Sequence, residues 1–125
     1  MGIPASQRLR KQSDFQEVRK SEYRIHCRPF VIQCELGEAG ATSVPKLGVI
    51  ASRRVGNAVL RNYGKRMVRE IFRRNAPNVH ALPSGSRCIV VLRAGFSRYD
   101  FASLEAHFTR ACLKIKEKAD RGGGK

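Results

Sequence analysis

The segment Cys88–Leu92 (CIVVL) is the longest uninterrupted run of apolar residues in the sequence, and Arg87 and Arg93 flank it. It is far shorter than the roughly 20 residues that a membrane-spanning helix needs, so it cannot cross a bilayer. Its length and β-branched content predict a strand over residues 87–93 that is buried on both faces. The chain is therefore predicted to build a sheet around this strand.

Helix and strand patterns place the other elements around it. A capping box of Ser13 and Gln16 predicts a first helix that starts after Ser13 and ends near Lys20. The remaining predictions are extended chain over 23–36 that Pro29 can divide into two strands, a strand over 46–52, a helix over 58–75 and a helix over 101–118. This order predicts an α+β fold, a two-layer α-β sandwich in which helices cover one face of a sheet.

The chain is long enough for one domain and too short for two. Its 125 residues predict a single domain over residues 1–120. A flexible basic lead-in is expected over about residues 1–10, and a disordered tail over 121–125. No apolar stretch follows the polar and basic residues near the start, so we expect no signal peptide and a cytoplasmic protein.

The charge of the chain indicates its class of partner. Lysine and arginine number 25, aspartate and glutamate number 10, and the formal net charge is +15. Such an excess attracts polyanions, nucleic acid first and an anionic membrane surface second. A membrane-surface helix needs a large exposed apolar face, which the helix over 58–75 is expected to use against the sheet. Nucleic acid is therefore the predicted partner, and no membrane partner is expected.

The potential metal ligands and catalytic groups are scattered. Cys27, Cys34, Cys88 and Cys112 form no C-x-x-C pair, and the three histidines do not complete a zinc-ligand spacing. We therefore predict no metal site in the protein, and buried, reduced cysteines. The helix over 58–75 lacks a histidine or carboxylate pair for acid–base chemistry, so no catalytic residue is predicted in the protein.

The helix predicted over residues 58–75 has one cationic face. Between Arg53 and Arg74 the sequence has eight basic residues and a single acid, Glu70. Six residues share one arc of about 140° on a helical wheel: Arg61, Asn62, Lys65, Arg66, Arg69 and Arg73. A second arc of similar width is the predicted core face: Leu60, Tyr63, Gly64, Met67, Val68 and Ile71. Phe72 does not fit this division, because it falls at the edge of the basic arc.

Two properties of the cationic face favour RNA as its ligand. Arg61, Lys65 and Arg69 are like charges at i,i+4 spacing, which repel unless an anion relieves them. Guanidinium groups bind phosphate in a bidentate fork and stack on bases, and Asn62 offers both a donor and an acceptor. Phe15 has two interpretations: it packs the first helix onto the sheet, or it stacks on an unpaired base.

The segment Gly56–Glu70 (GNAVLRNYGKRMVRE) resembles the signature G-N-A-V-x-R-N-x-x-K-R-x-x-R-[EQ] of the bacterial ribonuclease P protein subunit. The lead-in RLRK with the D-F-x-x-V that follows it, the strand LGV before Ser52–Val55, and the final strand, turn and helix also match. The resemblance covers about residues 7–118. It implies an α-β sandwich like the second domain of ribosomal protein S5, with an uncommon left-handed β-α-β crossover.

The resemblance also implies a function. Members of this family bind the catalytic RNA of ribonuclease P and the 5′ leader of precursor tRNA, while the RNA performs Mg²⁺-dependent endonucleolytic removal of the leader. It implies a monomeric protein, one per RNA, with no organic cofactor. The implied RNA-binding residues are Arg53, Arg54, Arg61, Asn62, Lys65, Arg66, Arg69 and Arg73. The implied residues of the leader cleft are Phe15, Arg19, Val31 and Gln33.

Three positions depart from the family pattern. Tyr63 stands where the signature often has arginine, and Arg19 and Gln33 stand where some members have aromatic residues. Leader binding is therefore expected to depend more on charge than on stacking. The alternative hypothesis is a structural RNA-binding protein of ribosomal type, which charge and fold would also suit. A protein-only nuclease is a third hypothesis, and it lacks an acid–base constellation in the sequence.

Overall fold

The computed structural model of the protein describes residues 7–37, 45–75, 82 and 85–122. In chain order, the helices and strands of these residues are α1 (Gln12–Val18), β1 (Tyr23–His26), β2 (Phe30–Glu35), β3 (Lys46–Ile50), α2 (Ala58–Arg74), β4 (Arg87–Leu92) and α3 (Phe101–Gly122). The predicted order of elements is confirmed. Pro29 lies between β1 and β2, so the first extended segment does form two strands.

The four strands form one mixed sheet in the order β1-β2-β4-β3. The pairs β1–β2 and β2–β4 are antiparallel, whereas β3 runs parallel to β4 and is joined to it through α2. The apolar segment that dominates the sequence is thus a central strand. Cys88, Ile89 and Val90 are at most 1% exposed, which confirms that β4 is buried on both faces.

The helices lie on both faces of the sheet. Alternate side chains of a strand point to opposite faces: Val90 belongs to the main core with α2 and α3, whereas Ile89 packs with Val18 of α1 and with Leu9. The α-β sandwich is confirmed, but the expectation that the helices cover a single face is wrong for α1. The face of the sheet that carries Ile89 is also apolar and must be shielded from water. The helix α1 covers part of this face.

The buried face of α2 differs from the one predicted by the helical wheel. Phe72 is only 3% exposed and packs edge-on against Phe108 of α3, with ring centroids 6.3 Å apart. Tyr63, assigned to the core arc, is 42% exposed. Gly64 lets the helix approach the sheet closely, since a Cβ there would lie 2.6 Å from Leu92 Cδ1. These contacts set the rotation of α2 about its axis, so that Phe72 faces the core and Tyr63 is partly exposed to solvent.

The first helix starts one residue before the predicted cap. α1 begins at Gln12 and its N-cap is Lys11, which makes no side-chain capping bond. The capping box of Ser13 and Gln16 is therefore not used. The Lys11 carbonyl already accepts the amide of Asp14, and the Asp14 carboxylate is 3.0 Å from Arg87 Nη1. Tertiary pairing with β4 thus replaces the local cap.

The two ends of the described chain contain more ordered structure than predicted. Leu9 is buried, and its amide donates to the Leu47 carbonyl at 2.9 Å, so residues 8–9 run beside β3. At the other end, α3 continues to Gly122 and includes two residues of the predicted tail. Residues 1–6 and 123–125, where the rest of the flexible lead-in and the tail were predicted, lie outside the described residues.

Arg87 fastens α1 to the sheet. Its guanidinium is 3.0 Å from carboxylate oxygens of both Asp14 and Glu17, and its Nε donates to Glu35 Oε1 at 2.9 Å. Gln33 adds a second attachment, because its buried side-chain amide donates to two carbonyls that follow α1. These bonds fix the position of the helix that carries Phe15.

Candidate nucleic-acid interface

The start of α2 explains why glycine and asparagine precede the cationic residues. Gly56 has φ +150°, a conformation that side chains disfavour, and a Cβ there would lie 2.6 Å from Leu60 Cδ2. Asn57 is the N-cap, and its Oδ1 accepts the Leu60 amide at 2.9 Å. Arg53 and Arg54 lie in a single 3₁₀ turn just before this cap, and both are exposed. This part of the motif therefore sets where the basic helix begins.

The basic residues near the end of α2 already have carboxylate partners. Arg73 Nε donates to Glu70 Oε1 at 3.0 Å, and this hydrogen bond lowers the pKa of the Glu70 carboxyl. Glu70, the single acid of this segment, is thus paired with an arginine of its own helix. Arg74 Nε is 3.7 Å from Glu105 Oε2, and its guanidinium lies 5.1 Å from the centroid of the Phe101 ring. These two cations are partly neutralised within the protein.

The cations in the first three turns of α2 have a different environment. In the described ranges, the salt bridges of α2 involve only Arg73 and Arg74, so Arg61, Lys65 and Arg66 are left without a carboxylate. Asn62 and Arg66 are exposed, whereas Arg61, Lys65 and Arg69 are half-buried. The Nε of Arg61 is buried and finds no hydrogen-bond partner among the described residues. This surface carries uncompensated positive charge and one unsatisfied donor.

Arg69 extends the cationic surface toward the N-terminal segment. Partial burial, together with the neighbouring charge of Arg8, lowers the pKa of the Arg69 guanidinium. The group still carries its charge at neutral pH, because an arginine in a protein is not deprotonated. The guanidinium groups of Arg8 and Arg69 thus place positive charge on both the N-terminal segment and α2.

Phe15 lies in a cleft at the edge of the sheet. Its ring covers Gly48 of β3 so closely that a Cβ at Gly48 would lie 2.5 Å from Phe15 Cε1. The cleft beside this ring has a volume of about 320 Å³. It is lined by Arg8, Leu9, Arg10, Phe15, Leu47, Gly48, Val49, Lys65 and Arg69. The aromatic residue of α1 and two cations of α2 thus share one cavity.

The other three residues predicted for the leader cleft lie elsewhere. Val31 is half-buried on β2, opposite Val91 of β4, and does not line the cavity beside Phe15. The side chain of Arg19 is exposed where α1 ends. Gln33 is only 1% exposed, and its Nε2 donates to the carbonyls of Arg19 at 3.0 Å and Ser21 at 2.6 Å. Gln33 therefore holds α1 in place and offers no surface to a ligand.

Sequence reasoning missed the contribution of the N-terminal segment to the cleft. Arg8 and Arg10 line it, and Leu9 between them is buried. A single apolar residue between two basic ones is the period-two pattern of half-buried extended chain. That alternation is the signal that could have placed this segment on the sheet.

Comparison with known proteins decides the family. The ribonuclease P family model matches residues 3–116 of the chain, which includes the basic helix, the cleft and all four strands. The chain belongs to the ribonuclease P protein family. It is thus a protein component of an endoribonuclease complex, and the resemblance in the signature around Asn57 is confirmed.

Relatives in this family match the chain along nearly its whole length. The ribonuclease P protein component of Desulforapulum autotrophicum is 38% identical over 123 residues, which cover 98% of this chain and 96% of the relative. The Thermotoga maritima RNase P protein structure superposes with a TM-score of 0.71 at 31% identity, covering 86% of this chain and 96% of that one. The Staphylococcus aureus RNase P protein gives a TM-score of 0.70 at 29% identity, covering 87% and 94%. These matches support the ribonuclease P interpretation and not the ribosomal-type alternative.

The cysteines of the chain are part of its packing. Cys34, Cys88 and Cys112 are buried, and Cys27 is half-buried. A hydrogen bond with Cys88 and burial raise the pKa of the Cys34 thiol, and burial raises that of Cys112. Protonated thiols are neither nucleophiles nor good metal ligands. Within the described part of the chain, no three histidine, cysteine or acidic residues come together as a metal site, and no helix is long and apolar enough to span a bilayer.

Proposed function

We propose that this chain is the non-catalytic subunit of an RNA-based ribonuclease P. In this proposal α2 binds the ribonuclease P RNA, the cleft beside Phe15 binds the single-stranded 5′ leader of precursor tRNA, and the RNA hydrolyses the phosphodiester. The observation that carries the proposal is the uncompensated cationic surface of α2, which continues through Lys65 and Arg69 into an aromatic cleft. We further propose a monomeric protein, with one copy per RNA, acting in the cytoplasm.

The cationic surface supports RNA binding because an isolated protein gains little from it. Successive like charges at i,i+4 spacing destabilise a helix by a few tenths of a kcal/mol per pair. The buried Nε of Arg61 adds the cost of an unmade hydrogen bond, about 1–3 kcal/mol. Phosphate groups of an RNA would relieve the repulsion and supply the missing acceptor. Arg53 and Arg54, exposed just before α2, would extend the same contact.

The cleft supports binding of a single strand. An unpaired base can stack on the Phe15 ring, while Lys65 and Arg69 lie in the same cavity and can hold the flanking phosphates. Val31 would extend the floor of this path across the same face of the sheet, and Arg19 would add charge beside it. Gln33 contributes indirectly, through its bonds to the end of α1.

The Mg²⁺ that the proposed reaction requires is assigned to the RNA. A Mg²⁺ site made by protein alone needs clustered carboxylates. Within the described residues the carboxylates do not form such a cluster, and Asp14, Glu17 and Glu35 are all held by Arg87. The described residues therefore do not fit a protein-made site, and the proposal assigns no step of the reaction to them.

Reconstitution tests the proposal directly. Precursor-tRNA cleavage is measured at low Mg²⁺ with the protein alone, a bacterial ribonuclease P RNA alone, and both together. We expect the pair to cleave much faster than the RNA alone and the protein alone to be inactive. No gain on adding the protein would favour a structural RNA-binding role. Cleavage by the protein alone would mean that the protein contains an active site.

Phe15 gives a more local prediction. Phe15→Ala removes the stacking surface, and Phe15→Leu keeps an apolar contact with Gly48 but has no aromatic face. A base–aromatic stack contributes about 1–3 kcal/mol, so both variants are expected to weaken precursor-tRNA binding by the reconstituted enzyme about 5- to 150-fold. Binding of mature tRNA, which has no leader, serves as the control and is expected to stay unchanged. Equal losses for both ligands would assign Phe15 to packing alone.

A further inference from the structure

A second cavity adjoins the basic surface, between α2 and the start of α3. Its volume is about 400 Å³, within the usual range of about 300–1,000 Å³ for ligand sites. Tyr63, Met67 and Phe101 form its apolar wall, and Arg8, Arg66 and Arg69 lie at its rim. The cleft beside Phe15 is also lined by Arg8 and Arg69, but Tyr63 and Phe101 line only the second cavity.

The aromatic wall is partly open to solvent. Tyr63 is 42% exposed, the only aromatic residue among the exposed large hydrophobic side chains of the described chain. The buried Phe96 supports it from inside, with ring centroids 6.4 Å apart and planes tilted by 31°. Met67 and Phe101 are half-buried beside it. The ring is therefore held in position without being covered.

The charge at the rim is positive. Arg66 is exposed. Arg69 is half-buried, and the neighbouring charge of Arg8 contributes to the lowered pKa of its guanidinium. Glu70 also lines the cavity, but its carboxylate is engaged by Arg73 of the next turn. A ligand entering here meets a flat apolar wall and guanidinium groups that form forks for phosphate.

We propose that this cavity binds one unpaired nucleotide of the ribonuclease P RNA, with its base on the Tyr63 ring and its phosphates on Arg66 and Arg69. The proposal rests on the proposed RNA-binding role of α2 and specifies a structural element of that RNA. A base within a duplex is inaccessible to such a wall, whereas a bulged or looped-out base can enter it. Tyr63 stands where the family signature often has arginine, so this stacking would be a property of chains with an aromatic residue there.

Titration of the RNA with three variants at several salt concentrations tests the proposal. Tyr63→Ala and Tyr63→Leu are expected to weaken binding about 5- to 150-fold, because stacking is lost. Tyr63→Phe keeps the ring and is expected to bind within about twofold of wild type. No charge is removed in any of them, so the salt dependence of binding is expected to remain that of the wild type.

Ultraviolet cross-linking of the wild-type complex gives an independent readout. We expect a nucleotide attached to the peptide that contains Tyr63 and Met67. Leu113 is an exposed apolar residue of α3 outside both cavities, so Leu113→Ala serves as the matched control. We expect it to change neither the RNA affinity nor the cross-link. Thermal unfolding establishes that each variant is folded.

The possible outcomes are distinguishable. Folded Tyr63→Ala and Tyr63→Leu proteins that bind like wild type would overturn the base site, as would cross-links that never include this peptide. A loss of affinity in Tyr63→Phe equal to that in Tyr63→Ala would also overturn it, because the stacking ring would not matter. Failure of wild-type protein to bind the RNA at all would instead overturn the proposed function of α2.

Discussion

Replacing Arg66 and Arg69 together by alanine is expected to lower the affinity for ribonuclease P RNA about 100-fold. Hydrogen bonds to charged groups contribute about 1.5–3 kcal/mol each, and about 1.4 kcal/mol corresponds to a factor of ten. Each lost phosphate contact also lowers the slope of log affinity against log salt by about one unit. A titration of the RNA between low and moderate salt measures both quantities.

The arginines at the end of α2 provide a control with the same loss of charge. Arg73 and Arg74 are already paired with Glu70 and Glu105, so alanine at both positions is expected to change affinity and slope much less. This also bears on the predicted RNA-binding role of Arg73, whose pairing leaves it less free to bind phosphate. Equal slopes for the two double variants would mean that binding follows net charge alone and that the surface has no preferred contacts.

Phe72→Ala is expected to cost about 3–5 kcal/mol of unfolding free energy. The side chain is 3% exposed and lies against Phe108, so its removal leaves a cavity between α2 and α3. Tyr63→Ala, an aromatic truncation on the same helix, is expected to cost about 1 kcal/mol or less because the ring is largely outside the core. Urea unfolding followed by circular dichroism measures both values.

The comparison of these two variants tests how α2 is oriented. The helical wheel places Tyr63 in the core and Phe72 at the edge of the basic face, which predicts the reverse order of destabilisation. A larger loss for Tyr63→Ala than for Phe72→Ala would therefore support the wheel and contradict the packing described above. It would also remove the exposed ring on which the proposed base site depends.

The sequence predicted the elements well because each has a strong local signal. The apolar run of β4, the periodic pattern of α2 and the division at Pro29 are all readable from neighbouring residues. The orientation of α2 was missed because a wheel centres the core on the average apolar direction. The face of α2 that is actually buried is set by contacts with residues distant in sequence. Phe72 packs against Phe108 on α3, and Gly64 packs against Leu92.

The difference between local signals and long-range contacts also decides how much of the RNA-binding surface could be predicted. The cationic residues of α2 could be found from composition and spacing, since their signal lies within one helix. The burial of Gln33 and the position of Arg8 in the cleft both depend on contacts between segments that are far apart in the sequence. One example is the hydrogen bond from the Leu9 amide to the Leu47 carbonyl, which no pattern of neighbouring residues predicts. Sequence reasoning identified the surface that carries charge, and long-range hydrogen bonds determine the shape of the cleft.

The attachment of α1 by Arg87 has a consequence for the order of events during synthesis. Asp14 and Arg87 are 73 positions apart, and the chain grows from its N-terminus. When α2 emerges from the ribosome, β4 is still inside it, and the strand that anchors Phe15 beside the sheet is not yet available for pairing. A nascent chain therefore presents its cationic helix before it has a cleft. The two RNA-facing surfaces are present together only after residue 92 has emerged and β4 has paired with the sheet.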